Sequence, residues 1–321
     1  MYTAVEAMPA LGELHVANEL LDDREALDAA WERDGYWYFR DVLDQGALAG
    51  LRAVFLDLLK SLGVIDQDAT EARHNGASLE SYPKNMESLV ATHAWKPFVR
   101  HPAIHAFFRR VLGDEPFWIP ISEYRATPPN GDRGRNRFDY PHQDGFYNQG
   151  IPFRICWIPL ATIDATIGGF AVTEGLHRGP CLHDLSQPPL FPIPPRAIAP
   201  TAWKRATYRA GDIVMFDLDT PHSGLANYSD RYFRLSLDIR VMGASGKVPV
   251  IGKLAAVRRE AIEVRDSQGR LHRFALNEAT YCRALDGKKM TLDEIPERLT
   301  VGQELIVAHD GEHAEVIRPP H

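Results

Sequence analysis

The chain has little cysteine. Cys156, Cys181 and Cys282 are its only thiols in 321 residues, and no two stand in a CxxC pair. An odd number without that spacing reads as buried or incidental thiols of a reducing compartment. Excess positive charge is missing too. A formal charge of −7 argues against nucleic acid or an anionic membrane as the main partner. No run approaches twenty apolar residues, and the start, "MYTAVEAMPALGELH", lacks a basic n-region and an apolar h-region. A cytoplasmic protein is expected. Internal repeats and low-complexity segments are absent as well. The remaining composition, 45% hydrophobic and 25% charged, is that of a soluble globular protein. Its length suffices for one large domain and a small one.

The first third carries helical spacing. "DDREALDAAWERDG" should end at Gly35, and "YWYFRDV" then reads as a strand. Leu48, Leu51, Phe55, Leu58, Leu59 and Leu62 form one stripe that Gly63 stops; Ile104, Phe107, Phe108, Val111 and Leu112 form another. Both stripes read as core faces. From Phe117 the texture changes to short strands separated by Gly, Pro and Asn: "FWIPISEYRA", "FRICWIPLA", "GGFAVTEG", "GDIVMFDL" and "RYFRLSLDIRVM". Helices first and strands after suggest an antiparallel sandwich or barrel buttressed by helices on one face. After "GASGKVP", residues 250–321 read as a small β-barrel-like appendage with Ser-Gln-Gly and Asp286-Gly287 turns. Its eleven basic and twelve acidic residues give it no basic stripe.

The chemistry centres on "YPHQDGFYNQG", which follows Phe138-Asp139. His142 and Asp144 in a polar turn would need no explanation. A third candidate, His222 in "DLDTPHSGLANYSDRYFRLSLDIR", lies seventy-eight residues beyond Asp144 at the end of the strand "GDIVMFDL". An antiparallel barrel with a metal at its mouth would bring two ligands from one strand end and a third from a distant strand. Two imidazoles and one carboxylate suit Fe(II), while Zn or Mn would also bind. Twelve residues past His222 come Arg234 and Ser236, which strand alternation places on one face. A guanidinium and a hydroxyl on a barrel's inner face need an anion, and a carboxylate fits the fork. An ion pair of Arg234 with Asp238 or Asp212 is the plainer alternative.

With these residues in hand, the chain resembles the phytanoyl-CoA dioxygenase family of Fe(II)/2-oxoglutarate-dependent oxygenases over roughly Ala29 to Met242. The likeness rests on "ERDGYWYFRDVLDQGALAGLR", "PHQDGF", "GGFAVTEGLHR" and "PHSGLANYSDRYFRLSLDIR". The resemblance implies a mainly β fold with N-terminal helices: a helical part over 1–115, a double-stranded β-helix (jelly-roll, cupin-like) core over 116–243, and the accessory domain beyond. It implies His142, Asp144 and His222 on iron, Arg234 with Ser236 on the distal carboxylate of 2-oxoglutarate, and Trp157 beside that cosubstrate. A core tryptophan is the other reading of Trp157. The implied reaction oxidises an unactivated C–H bond of a small molecule or specialised metabolite with O2, releasing succinate and CO2. Halogenation is disfavoured because Asp144 fills the position chloride would need.

This chain departs from the family where Gly175-Leu176-His177 replaces Gly-Ser-His, which makes His177 either a turn residue or an active-site one. "HDGEH" (His309–His313) reads as a hairpin turn despite its ligand-like composition. His74 and His93 fall in an irregular stretch, Gln67 to Trp95, long enough to form a lid. Tyr124, Arg125, Phe146 and Tyr147 flank the candidate site and could shape its pocket or simply pack. The competing functions are a cupin-like metal-dependent hydrolase or isomerase, which would not need Arg234 and Ser236, and a binding protein that has lost its chemistry. A small-molecule substrate is expected, with a homo-oligomer possible through the C-terminal β domain.

Overall fold

The computed structural model describes residues 11–83, 85–129, 140–148, 150–188, 190–283 and 289–320; Phe138-Asp139 and the Asp286-Gly287 turn lie outside them. The chain begins with β1 (Gly12–Glu13), α1 (Arg24–Asp34), β2 (Tyr36–Phe39) and α2 (Gln45–Ser61). Asp23 and Asp44 cap the two helices by accepting from Ala26 N and Ala47 N at 3.0 and 2.8 Å. Each cap contributes roughly 1 kcal/mol. Gly35 ends α1 at φ 78°, in the left-handed region that glycine adopts without strain. Along α2 the expected stripe buries Leu48, Leu51, Phe55 and Leu59, whereas Leu62, just past the last turn, is 38% exposed. Three helices follow: α3 (Glu87–Thr92), α4 (Trp95–Arg100) and α5 (Pro102–Leu112). The stretch from Gln67 to Trp95 is therefore less irregular than its sequence, and Tyr82 ties it down by donating to Ala126 O at 2.6 Å.

Eight more elements build the centre: β3 (Pro116–Thr127), the four-residue α6 (Asp144–Tyr147), β4 (Arg154–Pro159), β5 (Gly169–Thr173), β6 (Trp203–Arg205), β7 (Ile213–Asp217), β8 (His222–Leu225) and, closing the set, β9 (Arg234–Gly243). One sheet has the order β2-β7-β4-β9-β3 and a second β1-β6-β5-β8. From β4 to β9 the chain passes back and forth between them. A buried cluster joins Tyr36, Ile155, Trp157, Val214 and Phe216 of the first sheet to Phe170 and Val172 of the second, so the two sheets share an interior.

The strand β9 explains both faces of the larger sheet. Leu235, Leu237, Ile239 and Val241 pack with the residues of α1, α2, α4 and α5. Fully burying each such side chain stabilises the fold by about 1.5–3 kcal/mol. The alternate residues Arg234, Ser236, Asp238 and Arg240 are polar, buried and turned to the other face. A sandwich interior seldom carries four polar residues in a row, which marks this face for chemistry.

Seven C-terminal strands form a third sheet: β10 (Val250–Arg258), β11 (Ala261–Asp266), β12 (Leu271–Ala275), β13 (Tyr281–Arg283), β14 (Lys289–Met290), β15 (Glu304–His309) and β16 (Ala314–Arg318), with α7 (Glu294–Arg298) between β14 and β15. Their order is β12-β11-β10-β15-β16-β13-β14. Leu254, Ile262, Val264 and Ile317 make a core of their own with Ile295 of α7. Ile306, Ala308 and Val316 instead join the interior cluster of the first two sheets. Gly311, at φ 110°, turns the chain between β15 and β16, and His309 stacks on Phe274 at 4.6 Å; "HDGEH" is a hairpin turn. Among the described residues no helix is long and apolar enough to cross a membrane.

Candidate active site

His142, Asp144 and His222 converge. Their ligand-capable atoms lie within 4.8 Å of one another and all three residues are buried. The local arrangement differs from two ligands on one strand end. His142 pairs with His222 in an isolated antiparallel bridge, exchanging N–H···O bonds of 3.0 and 2.9 Å. Asp144 opens α6, and His222 begins β8 one turn after β7 has ended. Gly145 follows Asp144 because any Cβ there would run into the side chains of Asp219 and Leu218.

Backbone carbonyls orient both rings. His142 Nδ1 lies 3.0 Å from Tyr140 O, and His222 Nδ1 lies 3.0 Å from Thr220 O. With Nδ1–H donated in this way, Nε2 carries the lone pair that a metal takes. The Nε2 of His142 is 3.6 Å from Asp144 Oδ1, and the two imidazole centroids are 4.2 Å apart. The other carboxylate oxygen, Oδ2, accepts from Arg240 Nη2 at 3.0 Å. Burial alone would raise the Asp144 carboxyl, but the neighbouring His142 imidazole and the Arg240 charge outweigh it and hold it well below the ordinary range. Burial, with His142 alongside, depresses His222 to about 3. An ionised carboxylate and a neutral imidazole are the forms that bind a metal.

The polar face of β9 runs away from this cluster. Arg234 donates to Gly169 O at 2.9 Å and to Leu225 O. Neither aspartate considered as its partner is waiting for it. Asp238 accepts from Arg125 Nε at 3.0 Å, and Asp212 accepts from Tyr38 Oη at 2.9 Å and from two backbone amides. Ser236 Oγ is fully buried and, among the described residues, has no hydrogen-bond partner. A buried hydroxyl in that state costs about 1–3 kcal/mol, which a ligand oxygen would offset. His222 and Leu225 mark the two ends of β8, separated by three residues or about 10 Å. A buried Arg–Ser pair at that distance from a His2Asp set fits a short dicarboxylate bound to the metal at its other end.

The remaining candidates distribute differently. Trp157 is buried between Phe170 (centroids 5.4 Å, stacked) and Tyr208 (4.7 Å, edge-on). Phe170 in turn meets His222 at 5.7 Å, so one ring separates Trp157 from the triad. Tyr124 faces the helices, where its hydroxyl accepts from Trp95 N at 2.9 Å. Tyr147 stands 6.1 Å from the His142 ring, and Phe146 stacks on His183 at 4.1 Å. His177 is buried against Gly35, and among the described residues neither of its ring nitrogens has a hydrogen-bond partner. His74 lies within hydrogen-bonding distance of Ala77 O, and His93 ends α3. A second cluster, His15, Asp34 and Glu174, is already answered by Arg33, Lys204 and the Tyr36 hydroxyl.

Sequence reasoning missed four contributors. Arg240 could have been found by extending the alternation Arg234–Ser236–Asp238 by one step. Gln143, whose side chain donates to Asp219 O at 2.8 Å and accepts from Leu182 N at 2.8 Å, reads as a turn residue. Asn148, donating to Asp144 O at 2.9 Å, belongs to a single helical turn that leaves no periodic signal, and Arg318, bonded to Asn148 Oδ1, had none because that partner is set by tertiary contact.

Residues 31–236 match the family model described as Phytanoyl-CoA dioxygenase (PhyH). The 1-deoxypentalenic acid 11-beta-hydroxylase of Streptomyces arenae is 30% identical over 239 residues, covering 70% of this chain and 83% of that protein. Its counterpart from Streptomyces exfoliatus is 30% identical over 241 residues with the same coverage. Among solved structures, EvdO2 from Micromonospora carbonacea var. aurantiaca complexed with 2-oxoglutarate aligns at a TM-score of 0.47 and 18% identity, over 73% of this chain and 93% of that one. The protein is a non-haem iron, 2-oxoglutarate-dependent oxygenase. It belongs to the phytanoyl-CoA dioxygenase family.

Proposed function

We propose that His142, Asp144 and His222 hold the iron, that Arg234 and Ser236 hold the distal carboxylate of 2-oxoglutarate, and that the enzyme hydroxylates an unactivated C–H bond of a specialised metabolite. The observation that carries this reading is the spacing along β8. His222 stands at one end of the strand, and the Arg234 guanidinium is bonded to Leu225 O at the other. Iron and 2-oxoglutarate together supply the oxidation of the C–H bond by O2, with release of succinate and CO2. The chain supplies geometry. Tyr140 O and Thr220 O fix the imidazoles, Arg240 turns one oxygen of Asp144 toward the metal, and Arg234 sets the depth of the cosubstrate. Trp157, Phe170 and Tyr208 form an apolar wall that keeps water from the buried end of the site.

In the same reading residues 116–243 are a double-stranded β-helix core, 1–115 its helical buttress, and 250–321 an accessory β domain. The hydroxylase relatives, named for an acid, make carboxylic acids the first substrates to try. Purified enzyme with Fe(II) and 2-oxoglutarate would be screened for succinate release across a panel of 1-deoxypentalenic acid, other terpenoid acids and fatty acids, with product mass measured. A gain of one oxygen, coupled to succinate, is expected for at least one compound. Uniform background release with no oxygenated product from any of them would refute the substrate class.

A further inference from the structure

The accessory sheet reaches the site through two arginines. Arg318, the last residue of β16, is buried; its Nη1 bonds Asn148 Oδ1 and its Nε meets Pro319 O at 3.3 Å. Arg283, the last residue of β13, donates from Nη1 to Tyr147 O at 2.6 Å. Both contacts fall on the C-terminal end of α6, the helix that begins with Asp144. Among the described residues neither guanidinium has a carboxylate partner. Asp144 is taken by Arg240, and Asp238 by Arg125. Amide and carbonyl oxygens solvate a cation but do not neutralise it, and an unneutralised buried charge is costly. Burial, with Arg283 and Arg240 adding repulsion, pushes Arg318 down to about 9, and it still carries its charge at neutral pH. Iron would add further positive charge beside them. The two carboxylates of 2-oxoglutarate are accounted for by the metal and Arg234.

We propose that Arg318 and Arg283 form an anion subsite beside the iron triad, built by the C-terminal domain, that takes a carboxylate of the substrate. This rests on the proposed function, and it gives the accessory sheet a direct part in choosing substrate. Two guanidiniums at the end of α6 hold an acid by its charged end, leaving its hydrocarbon body to lie toward the metal.

The test uses full-length enzyme loaded anaerobically with Fe(II) and 2-oxoglutarate. Each acid of the panel is titrated beside its methyl ester, by calorimetry and by perturbation of the visible charge-transfer band. At least one acid should bind about thirtyfold or more tightly than its ester. Arg318→Met and, separately, the less buried Arg283→Met should remove that preference, leaving ester binding and the substrate-free band unchanged; Arg318→Lys should restore part of it. Equal binding of acid and ester, or no binding of any acid, overturns the subsite. So does a substrate-free band already lost in both Met variants, which would mean that the arginines merely hold α6. A wild type with no band refutes the iron reading itself, a distinct outcome.

Discussion

Arg240 Nη2 lies 3.0 Å from Asp144 Oδ2, joining residues ninety-six positions apart. The bond leaves Oδ1, the oxygen nearer His142, for the metal. It also makes Arg240 the main counter-charge of a buried carboxylate. Arg240→Met should therefore destabilise the metal-free protein by about 3–5 kcal/mol, the range for breaking a buried pair. Iron affinity should fall roughly 10–100-fold. Urea denaturation with and without Zn(II) checks both, and a variant as stable as wild type without metal would show that the pair contributes nothing.

Arg234→Ala should weaken 2-oxoglutarate binding by about 2–5 kcal/mol and spare iron. Lysine keeps the charge but loses the fork, so Arg234→Lys should fall between the two. Ser236→Ala should cost roughly 1 kcal/mol. Arg231 is no substitute anchor: its side chain is largely exposed and faces Asp230 at 3.7 Å. Calorimetric titration of 2-oxoglutarate into Mn(II)-loaded protein reads all three, and affinities within a few-fold of wild type would remove the pair from the cosubstrate site.

Acid should destabilise the metal-free fold through His222. Burial lowers this ring from an ordinary 6.5 to about 3, so between those values the unfolded chain binds a proton that the folded one refuses. Stability is then fully present above 6.5 and falls as pH drops, by up to about 1.4 kcal/mol per pH unit. Asp144, depressed in the fold, adds to the loss only as pH falls below the ordinary carboxylate value. His222→Gln should flatten the slope measured by urea unfolding between pH 6 and about 5. An unchanged slope in that variant would mean that His222 is not buried neutral.

Asp144→Gly would open a coordination position while keeping both histidines. The wild type, given its substrate, should form an oxygenated product and no chlorinated one in high chloride, and the variant should lose most of that activity. Wild-type turnover by Asp144→Gly at limiting iron, read by mass analysis of the product, would show that the carboxylate is not a ligand.

Much of this site was legible because local patterns carry it. Period-two alternation put Arg234 and Ser236 on one face, and glycines at 35 and 63 marked helix ends that the fold keeps. The His142, Asp144 and His222 residues could be named from spacing and resemblance, but their placement could not. Asp144 sits on a single helical turn too short to leave a periodic signal. Of the two readings open for Tyr124, packing holds, because a strand's outer face also carries aromatics, here for the helices. Arg318 was invisible since nothing local tells a buried strand-end arginine from a solvated one. Its partner, Asn148, lies 170 residues away.

The central claim is that His142, Asp144 and His222 bind the iron to which 2-oxoglutarate attaches. Anaerobic addition of Fe(II) and then 2-oxoglutarate should produce a weak visible metal-to-ligand charge-transfer band in the wild type. The band should be absent in His142→Ala and His222→Ala, each of which lacks one imidazole. A wild type that binds both components without a band, or a band unchanged in both variants, would contradict the assignment.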